Sequence, residues 1–436
     1  MGLSQQILIR TNQHSPRLSY VMQHIFKNLL GLDPIVTTSA ETYNISTLPK
    51  ISYTPTPGTG GLHIIPAGLL DQHGVNSNLR PAVSYLNRLP ILFPSPFADT
   101  VGFDIFSAVF YILSRYEEYG ACDYDRHNRF VPQSFALDTH NLYNIPVVDE
   151  WVALLKNKIK THYPGISFKK HTYTYLPTID VDMPYAFRQK KLPFALAGLA
   201  KNILQADWTT LKKRYAVLLG KETDPYYTFD YLNNVLANFS VRPIYFYLCN
   251  GQTPYDPIAA FRKRAIVETI RYNVPHATAG LHNSYFTLER PELIGKELRL
   301  LQKILGHEVI RSRFHYIRFQ IPFSYQHLIR AGIQEEYSMG FPSFNGFRAG
   351  TSHPFYFYDL TNETATQLKI FPFQAMDATY IYYLKCTPEQ VLEDLLRIRN
   401  LVQQHEGTLI IIWHNNTFEP SPQGMQWRKI FETLLA

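Results

Sequence analysis

The alternation of strand-like and helix-like segments after residue 170 restricts the fold more than any other feature of the sequence. Short apolar and aromatic runs at 173–182, 241–250 and 407–414 have the length and composition of buried strands. Between such runs lie helical patterns, as at 293–305, where apolar residues recur on one stripe and Gly306 ends the helix. Strands that alternate with helices predict an α/β fold with a mostly parallel sheet or a barrel.

The first 170 residues follow a different pattern, which predicts a boundary near residue 170. Segment 51–78 is rich in Pro, Gly and Thr, which indicates loops and short strands. A helix is predicted over 103–119, and we expect it to be buried because it is apolar on nearly every side before Ser114. We therefore predict a smaller α+β domain over residues 1–170 and an α/β domain over residues 171–436.

Composition and charge exclude several classes of protein. The chain has 436 residues, of which 45% are hydrophobic and 18% charged, so it can bury large cores and is not intrinsically disordered. Its net charge of +7 does not by itself imply a nucleic-acid partner. The sequence has no run of about 18 apolar residues that could span a membrane. Its start lacks the pattern of an export signal, and three widely separated cysteines suit a reducing compartment, so we expect a cytoplasmic protein.

Ionisable side chains stand near the ends of several predicted strands, including one predicted over 314–322. In chain order they are Asp180, Asp182, His282, Arg318, Arg348, Asp377 and His414. Each alone has a structural explanation, as a turn former, a core histidine or a solvated arginine. Because the carboxyl ends of parallel strands meet at one rim, where active sites of such folds collect, their number favours a shared site.

The residue types in this set suit metal-assisted hydrolysis. An Asp-x-Asp pair with a histidine provides oxygen and nitrogen ligands for a divalent metal. Asp180 and Asp182 point to the same face of a strand, so one can bind metal while the other takes a proton from water. A second histidine across the rim can protonate a leaving group. These parts together describe hydrolysis of an amide or an ester.

Five segments carry, in order, motifs similar to those of a known family. They are TIDVDMP (178–184), GLHNSY (280–285), FHYIRFQIP (314–322), GFRAGTSHPFYFYDL (346–360) and LIIIWHNN (409–416). Residues 170–436 resemble the polysaccharide deacetylases, family four of the carbohydrate esterases, with a nodulation-type domain. The resemblance is closest to a bacterial branch whose uncharacterised N-terminal domain has segments similar to SRYEEY (114–119) and IPVVDEW (145–151). It implies a distorted (β/α) barrel, often of seven strands, and a carbohydrate or amino-sugar substrate.

The resemblance also implies roles for individual residues. Asp180 matches the catalytic base that activates water, and His414 matches the general acid for the leaving amine. Arg318 matches the arginine of the third motif, which orients the base. Arg348 falls in the region of the fourth motif, so we include it among the catalytic residues.

A divalent metal, zinc, is implied as cofactor, with Asp182 and His282 as ligands. In the family pattern the two aspartates are adjacent, whereas Val181 separates them here. The family also has a second histidine four residues after the first, and that position is Phe286 in this chain. His315 is a third ligand only if a bulge re-aims it, because it precedes the third-motif arginine by three strand positions and should face the other side.

Three hypotheses follow. The first is a metal-dependent hydrolase that removes an acyl group, N-acetyl, from an amino sugar or polysaccharide. The second is a non-catalytic glycan-binding or scaffold protein with a degenerate metal site, which Phe286 favours. The third is a metal-free hydrolase that uses the same acid–base pair on another C–N bond. Fold alone does not separate them, because function depends on the site.

The N-terminal domain leaves its own alternatives open. Its SRYEEY segment offers Arg115, Glu117 and Glu118 at the end of a buried helix. Ion pairing explains these residues as well as a bound ligand does. The domain either covers one side of the barrel mouth or recruits a glycan-assembly partner.

Overall fold

The computed structural model describes residues 5–132, 142–251 and 253–436, and these form a mixed α/β structure. A four-stranded sheet lies in the first part of the chain and a nine-stranded sheet in the second. One apolar core runs through both parts and includes residues from Ile7 to Leu434. The predicted α/β class is confirmed, while the domain boundary near residue 170 stays a prediction.

The first part is built around a small parallel sheet. Its strands are β1 (Gln5–Thr11), β2 (Leu32–Thr37), β3 (Lys50–Tyr53) and β4 (Leu62–Ile64), in the order β2–β1–β3–β4. Two antiparallel hairpins follow, β5 (Val83–Leu86) with β6 (Leu89–Leu92) and β7 (Asp123–Tyr124) with β8 (Phe130–Val131). The helices are α1 (Pro16–Met22), which continues as a π-helical turn to Leu30, α2 (Ala40–Ile45), α3 (Ile105–Leu113) and α4 (Val147–His162).

Helix α3 is buried on every side, as its all-round apolar sequence predicts. It ends at Leu113 rather than at Tyr119, because Arg115 takes a left-handed backbone conformation with a φ of 52°. The turn that follows brings Glu117 and Glu118 against the Arg115 guanidinium, at 2.6 and 2.8 Å. Ion pairing at this helix end is therefore present.

Nine strands of the second part form one sheet. They are β9 (Thr174–Val181), β10 (Ile244–Leu248), β11 (Thr278–Asn283), β12 (Arg311–Phe314), β13 (Glu335–Glu336), β14 (Phe355–Asp359), β15 (Thr364–Ile370), β16 (Ala375–Met376) and β17 (Thr408–His414). Their order is β14–β15–β13–β12–β11–β10–β9–β17–β16, and only β14 and β15 pair in antiparallel fashion. Edge strands β14 and β16 do not pair with each other, so hydrogen bonds among the described strands do not close a barrel.

The strand predicted over 314–322 is wrong in position, because it lies earlier in the chain, at β12. Tyr316 and Ile317 have φ angles of 62° and 56°, so the chain leaves the sheet in a left-handed turn. A β-branched residue such as isoleucine is rarely found in this conformation, and such strain is concentrated at functional sites. The turn sets the directions of His315 and Arg318, which are described below.

Helices connect the strands of the second part. They are α5 (Leu192–Leu204), α6 (Trp208–Leu218), α7 (Phe229–Asn238), α8 (Lys263–Asn273), α9 (Glu292–Leu305), α10 (Phe323–Arg330), α11 (Pro388–Gln404) and α12 (Pro422–Leu435). Gly306 ends α9 with a φ of 78°, as predicted. Among the described helices, none is long and apolar enough to cross a bilayer.

Candidate metal and catalytic site

Neighbouring parallel strands bring four of the predicted site residues together. Strand β9 carries Asp180 near its carboxyl end, with Asp182 just beyond it. Strand β11 carries His282, and β17 ends at His414, which is the register partner of Asp180. All four side chains line a cavity of about 860 Å³ at this edge of the sheet.

Asp182, His282 and His315, here named the metal triad, have the geometry of a metal site. Each offers one ligand atom, and these atoms lie within 4.8 Å of one another. Asp182 Oδ1 is 3.3 Å from His282 Nε2, and Asp182 Oδ2 is 3.3 Å from His315 Nε2. Two ligands of a tetrahedral zinc ion, each about 2.1 Å from it, lie roughly 3.4 Å apart, so these separations suit such an ion.

His315 occupies the third position of the triad, which the sequence left open at Phe286. We expected His315 to face away from the site because a strand alternates its side chains. Strand β12 instead ends at Phe314, and the left-handed turn at Tyr316 and Ile317 directs the imidazole into the cavity. Phe286 is 39% exposed and is not among the residues that line the cavity.

Unpartnered buried atoms indicate that the triad is built to hold an ion. Asp182 Oδ1 and His282 Nε2 are buried and make no well-aligned hydrogen bond, although they lie 3.3 Å apart and Asp180 Oδ2 lies 3.5 Å from His282 Nε2. The other ring nitrogens are held from behind: His282 Nδ1 donates to the Arg313 carbonyl at 3.1 Å, and His315 Nδ1 donates to Asp256 Oδ1 at 3.0 Å. Such outer contacts fix the ring orientation of histidine ligands and leave Nε2 free for a metal. The residues therefore fit a divalent ion.

The electrostatic field at the triad also favours positive charge. Burial alone would lower the pKa of His315, but Asp182 and Asp256 outweigh burial and raise it to about 9. Burial alone would raise the pKa of Asp182, but His315 and His282 outweigh it and lower this pKa well below its usual range. A cation placed between these groups is stabilised by the same carboxylates.

Asp180 is held by an arginine that the sequence did not single out. Arg313 Nη1 donates to Asp180 Oδ1 at 2.7 Å and to Thr178 Oγ1 at 2.9 Å. Arg313 Nε donates to the Tyr337 carbonyl at 3.0 Å, and its guanidinium stacks on Phe246 at 4.3 Å. Arg313 is fully buried, so its bond to the Asp180 carboxylate is shielded from water and from salt.

Arg318 does not orient Asp180, and this predicted role is corrected. Its guanidinium pairs with Glu289 and donates to the carbonyls of Tyr285 and His127, each at 2.7 Å. The left-handed turn after β12 carries Arg318 past the site toward these outer loops. Arg318 therefore connects the second sheet to the β7–β8 hairpin of the N-terminal part.

Arg348 is not in the catalytic site either, and its predicted role is also corrected. It donates to Glu118 at 2.7 Å and to the Gly340 carbonyl at 3.0 Å, and it is buried. Its own carbonyl accepts from Arg115. Arg115, Glu117, Glu118 and Arg348 thus form one ionic cluster, which joins the SRYEEY turn to the second part of the chain.

His414, next to the metal triad, is paired with an aspartate. His414 Nδ1 donates to Asp377 Oδ1 at 2.7 Å, and Asp377 Oδ2 accepts from the His414 backbone N–H and from Thr417 Oγ1. His414 Nε2 lies 3.8 Å from Asp182 Oδ2. Burial alone would lower the pKa of His414, but Asp377 outweighs it and raises this pKa to about 10. Asp377 is among the strand-end residues of the sequence, but no motif there assigns it a catalytic role.

The cavity wall contains residues from both parts of the chain. Its Phe, Tyr and Trp side chains are Tyr226, Tyr255, Phe314, Tyr316, Tyr382, Tyr383 and Trp427. Arg126, His127 and Arg129 reach it from the β7–β8 hairpin, and Arg129 Nη2 donates to the Tyr383 hydroxyl at 2.9 Å. A wall of aromatic rings interspersed with a few charged groups is typical of a site for a polar organic ligand.

Comparisons with known proteins give a partial picture. A model described as a family of unknown function, DUF7033, matches residues 7–164. No curated protein matches the chain.

Among solved structures, several resemble this chain at low identity. A Mycobacterium smegmatis protein described as a polysaccharide deacetylase is 14% identical, with a TM-score of 0.40 over 62% of this chain and 87% of that one. The Puue allantoinase is 11% identical, with a TM-score of 0.40 over 63% and 86%. A Pseudomonas aeruginosa PAO1 protein described as a polysaccharide deacetylase is 12% identical, with a TM-score of 0.40 over 63% and 86%. At this distance the likeness assigns no activity, and the chemistry has to be inferred from the site.

Proposed function

We propose that this protein is a metal-dependent hydrolase that removes an acyl group from an amino sugar or polysaccharide, and that this acyl group is N-acetyl. The observation that carries the proposal is the metal triad, in which buried Asp182 Oδ1 and His282 Nε2 make no well-aligned hydrogen bond. Next to the triad lie Asp180, which is paired with Arg313, and His414, which is paired with Asp377. In the same proposal the second sheet is a distorted, open form of a (β/α) barrel over residues 171–436. The domain over residues 1–170 supplies one wall of its mouth.

The metal triad would hold a divalent ion, and zinc suits one carboxylate and two imidazoles. When bound, the ion would polarise the acyl carbonyl and offset the negative charge that develops on its oxygen. Asp180 and His414 are register partners on neighbouring strands, so both would act on an acyl group held beside Asp182.

Asp180 serves as the base. Arg313 holds Asp180 Oδ1, and Asp180 Oδ2, which lies 3.5 Å from His282 Nε2, is the oxygen that accepts a proton from the attacking water. Because the Arg313 guanidinium is fixed by Thr178 and Tyr337, the carboxylate does not have to reorganise before the reaction.

His414 serves as the acid. Asp377 accepts the Nδ1 proton, so Nε2 is the nitrogen that gives a proton to the leaving amine. The aromatic residues of the cavity wall would give a sugar ring an apolar face to stack on. Because His315 completes the triad, Phe286 no longer favours a non-catalytic binding protein.

Acetate release tests the proposal. Zinc-loaded protein is incubated with N-acetylated chitooligosaccharides and with peptidoglycan fragments, and acetate is measured. We expect turnover that a chelator abolishes and added zinc restores. We also expect His414→Ala to lower turnover strongly without unfolding the protein. Stoichiometric zinc without acetate release from either substrate would favour the glycan-binding alternative.

A further inference from the structure

The hairpin of helices α5 and α6 exposes more apolar side chains than a water-facing element normally does. Its strongly exposed residues are Leu192, Phe194, Leu196, Ile203, Leu204, Trp208, Tyr215, Leu218 and Leu219. On α5 the only buried residue is Asn202. A helix that packs on a protein core shows the opposite pattern, with apolar residues inside and polar residues outside.

We name residues 188–221, which contain this hairpin, the basic hairpin. Polar contacts hold its inner side. Arg214 Nε and Nη2 donate to Asn202 Oδ1 at 3.1 and 3.0 Å, and both residues are buried. Gly198 lets the Arg214 side chain approach, because a Cβ there would lie 2.9 Å from Nη2. Arg214 also stacks on Phe187 at 4.7 Å. The apolar residues therefore point outward from a hairpin whose fold is fixed from within.

The basic hairpin also holds the whole net charge of the chain. Its cationic residues are Arg188, Lys190, Lys191, Lys201, Lys212, Lys213, Arg214 and Lys221, and its one acidic residue is Asp207. This gives the segment a net charge of +7, which equals the net charge of the full chain. The remaining 402 residues are therefore neutral in sum.

We propose that the basic hairpin docks on the surface of an anionic lipid bilayer, without crossing it. The outward leucines and the aromatic residues on both helices can insert into the headgroup region of a bilayer. The lysines beside them can pair with anionic headgroups. A second copy of the chain is a poorer occupant, because two segments that each carry a net charge of +7 repel each other. This inference does not depend on the proposed hydrolase activity.

The position of the basic hairpin links this surface to the cavity. It follows β9, which carries Asp180, and it is tied to the segment that precedes α8. Lys191 N–H donates to the Ala260 carbonyl at 2.8 Å, and Arg262 N–H donates to the Gln189 carbonyl at 2.9 Å. Pro257, at the start of that segment, lines the cavity. Docking of the hairpin thus brings one edge of the cavity near the lipid surface.

Vesicle flotation of the full chain tests the inference. The vesicles contain either phosphatidylcholine alone or equal parts of phosphatidylcholine and phosphatidylglycerol. We expect the protein to float with the anionic vesicles, less so at high salt, and to stay unbound with the neutral ones. Leu196→Asp combined with Leu204→Asp should lower the partition coefficient at least about tenfold.

Matched variants separate docking from general effects. Ile45→Asp with Phe97→Asp changes two equally exposed apolar residues of the N-terminal part, each 76% exposed, and should leave vesicle binding unchanged. Lys212→Glu keeps the apolar face and should lower binding about fivefold or more, since each basic residue near an anionic surface contributes about that factor. Circular dichroism checks that each variant is folded.

Any of three results would overturn the inference. One is absence of binding to anionic vesicles by the folded wild-type chain. Another is equal binding by the Leu196→Asp, Leu204→Asp variant. If light scattering instead shows a dimer that this variant dissociates, a second copy covers the face and the lipid proposal is wrong.

Discussion

The ionic cluster and the metal triad are both buried groups of charged side chains, yet they differ in how their atoms are satisfied. In the ionic cluster both guanidiniums donate to carboxylates at distances of 2.8 Å or less. Only Glu117 Oε2 lacks a partner there among the described residues, and Glu117 does not line the cavity. In the metal triad two ligand atoms lack partners, and all three residues line the cavity.

This difference teaches how to separate structural from functional charge. Arg348 and His282 are equally plausible site residues in the sequence, because both are polar and both stand near strand ends. The structure gives the Arg348 guanidinium well-aligned internal partners, whereas His282 Nε2 lies beside a cavity with two carboxylate oxygens 3.3 and 3.5 Å away but no well-aligned hydrogen bond. A buried polar atom without a partner requires an explanation, and a bound ion is one.

The largest expected effect is on turnover. Asp180→Asn removes the base but keeps the size of the side chain, so we expect acetate release to fall about 10³- to 10⁴-fold, or roughly 4 to 5.5 kcal/mol of transition-state stabilisation. The melting temperature should change little, because Asn can still accept from Arg313. Unaltered turnover in this variant would remove Asp180 from the mechanism.

The next effect is on stability and concerns the ionic cluster. Glu118→Gln leaves Arg115 and Arg348 without their shared carboxylate, so we expect a loss of about 3 to 5 kcal/mol in the free energy of unfolding. Zinc content should not change. The exposed Glu292→Gln is the matched control, and denaturant titration measures all three proteins. Loss of zinc with unchanged stability would contradict the distinction between the two clusters.

The third effect is a change of roughly 3 kcal/mol in the free energy of unfolding with pH. It comes from a buried carboxyl that belongs neither to the ionic cluster nor to the metal triad. Burial raises the pKa of Glu336 from 4.5 to about 7. Because the folded-state pKa is the higher one, the protonated carboxyl is favoured in the folded protein. Its contribution to stability is complete below 4.5 and is lost as pH rises through about 7, by roughly 3 kcal/mol.

Glu336→Gln tests this linkage, since an amide does not titrate. We expect the free energy of unfolding of the wild type to fall relative to that of the variant over this pH range. Denaturant titrations at a series of pH values measure the difference. Parallel curves for the two proteins would show that Glu336 titrates normally.

The smallest effect concerns the support of the metal triad. Asp256→Asn weakens the contact that holds His315 Nδ1, so we expect zinc affinity to fall about 10- to 100-fold. Competition with a chromogenic chelator measures the affinity. An unchanged affinity would show that the left-handed turn alone positions His315.

The sequence predicts the part of the site that depends on parallel strand ends. Asp180, Asp182, His282 and His414 meet because neighbouring strands run in the same direction. His315 was set aside and Arg313 was missed for one reason. Strand β12 ends earlier than its apolar pattern indicates, and the turn that ends it is formed by tyrosine and isoleucine rather than by glycine or asparagine.

Long-range partners explain the other corrections. Arg348 finds Glu118 across 230 positions of the chain, and Arg318 finds the carbonyl of His127 across 191. No local pattern in the sequence encodes such contacts. Helices α5 and α6 were missed because their outward leucines do not follow the periodicity of a helix that packs on a core.

The zinc content of the purified protein shows whether the metal triad holds an ion. We expect about one zinc per chain in the wild type and in His307→Gln, which changes an exposed histidine. We expect almost none in His315→Gln, with folding unchanged by circular dichroism. If His315→Gln retains zinc in full, or if wild-type protein supplied with zinc binds none, the metal triad does not hold zinc as proposed.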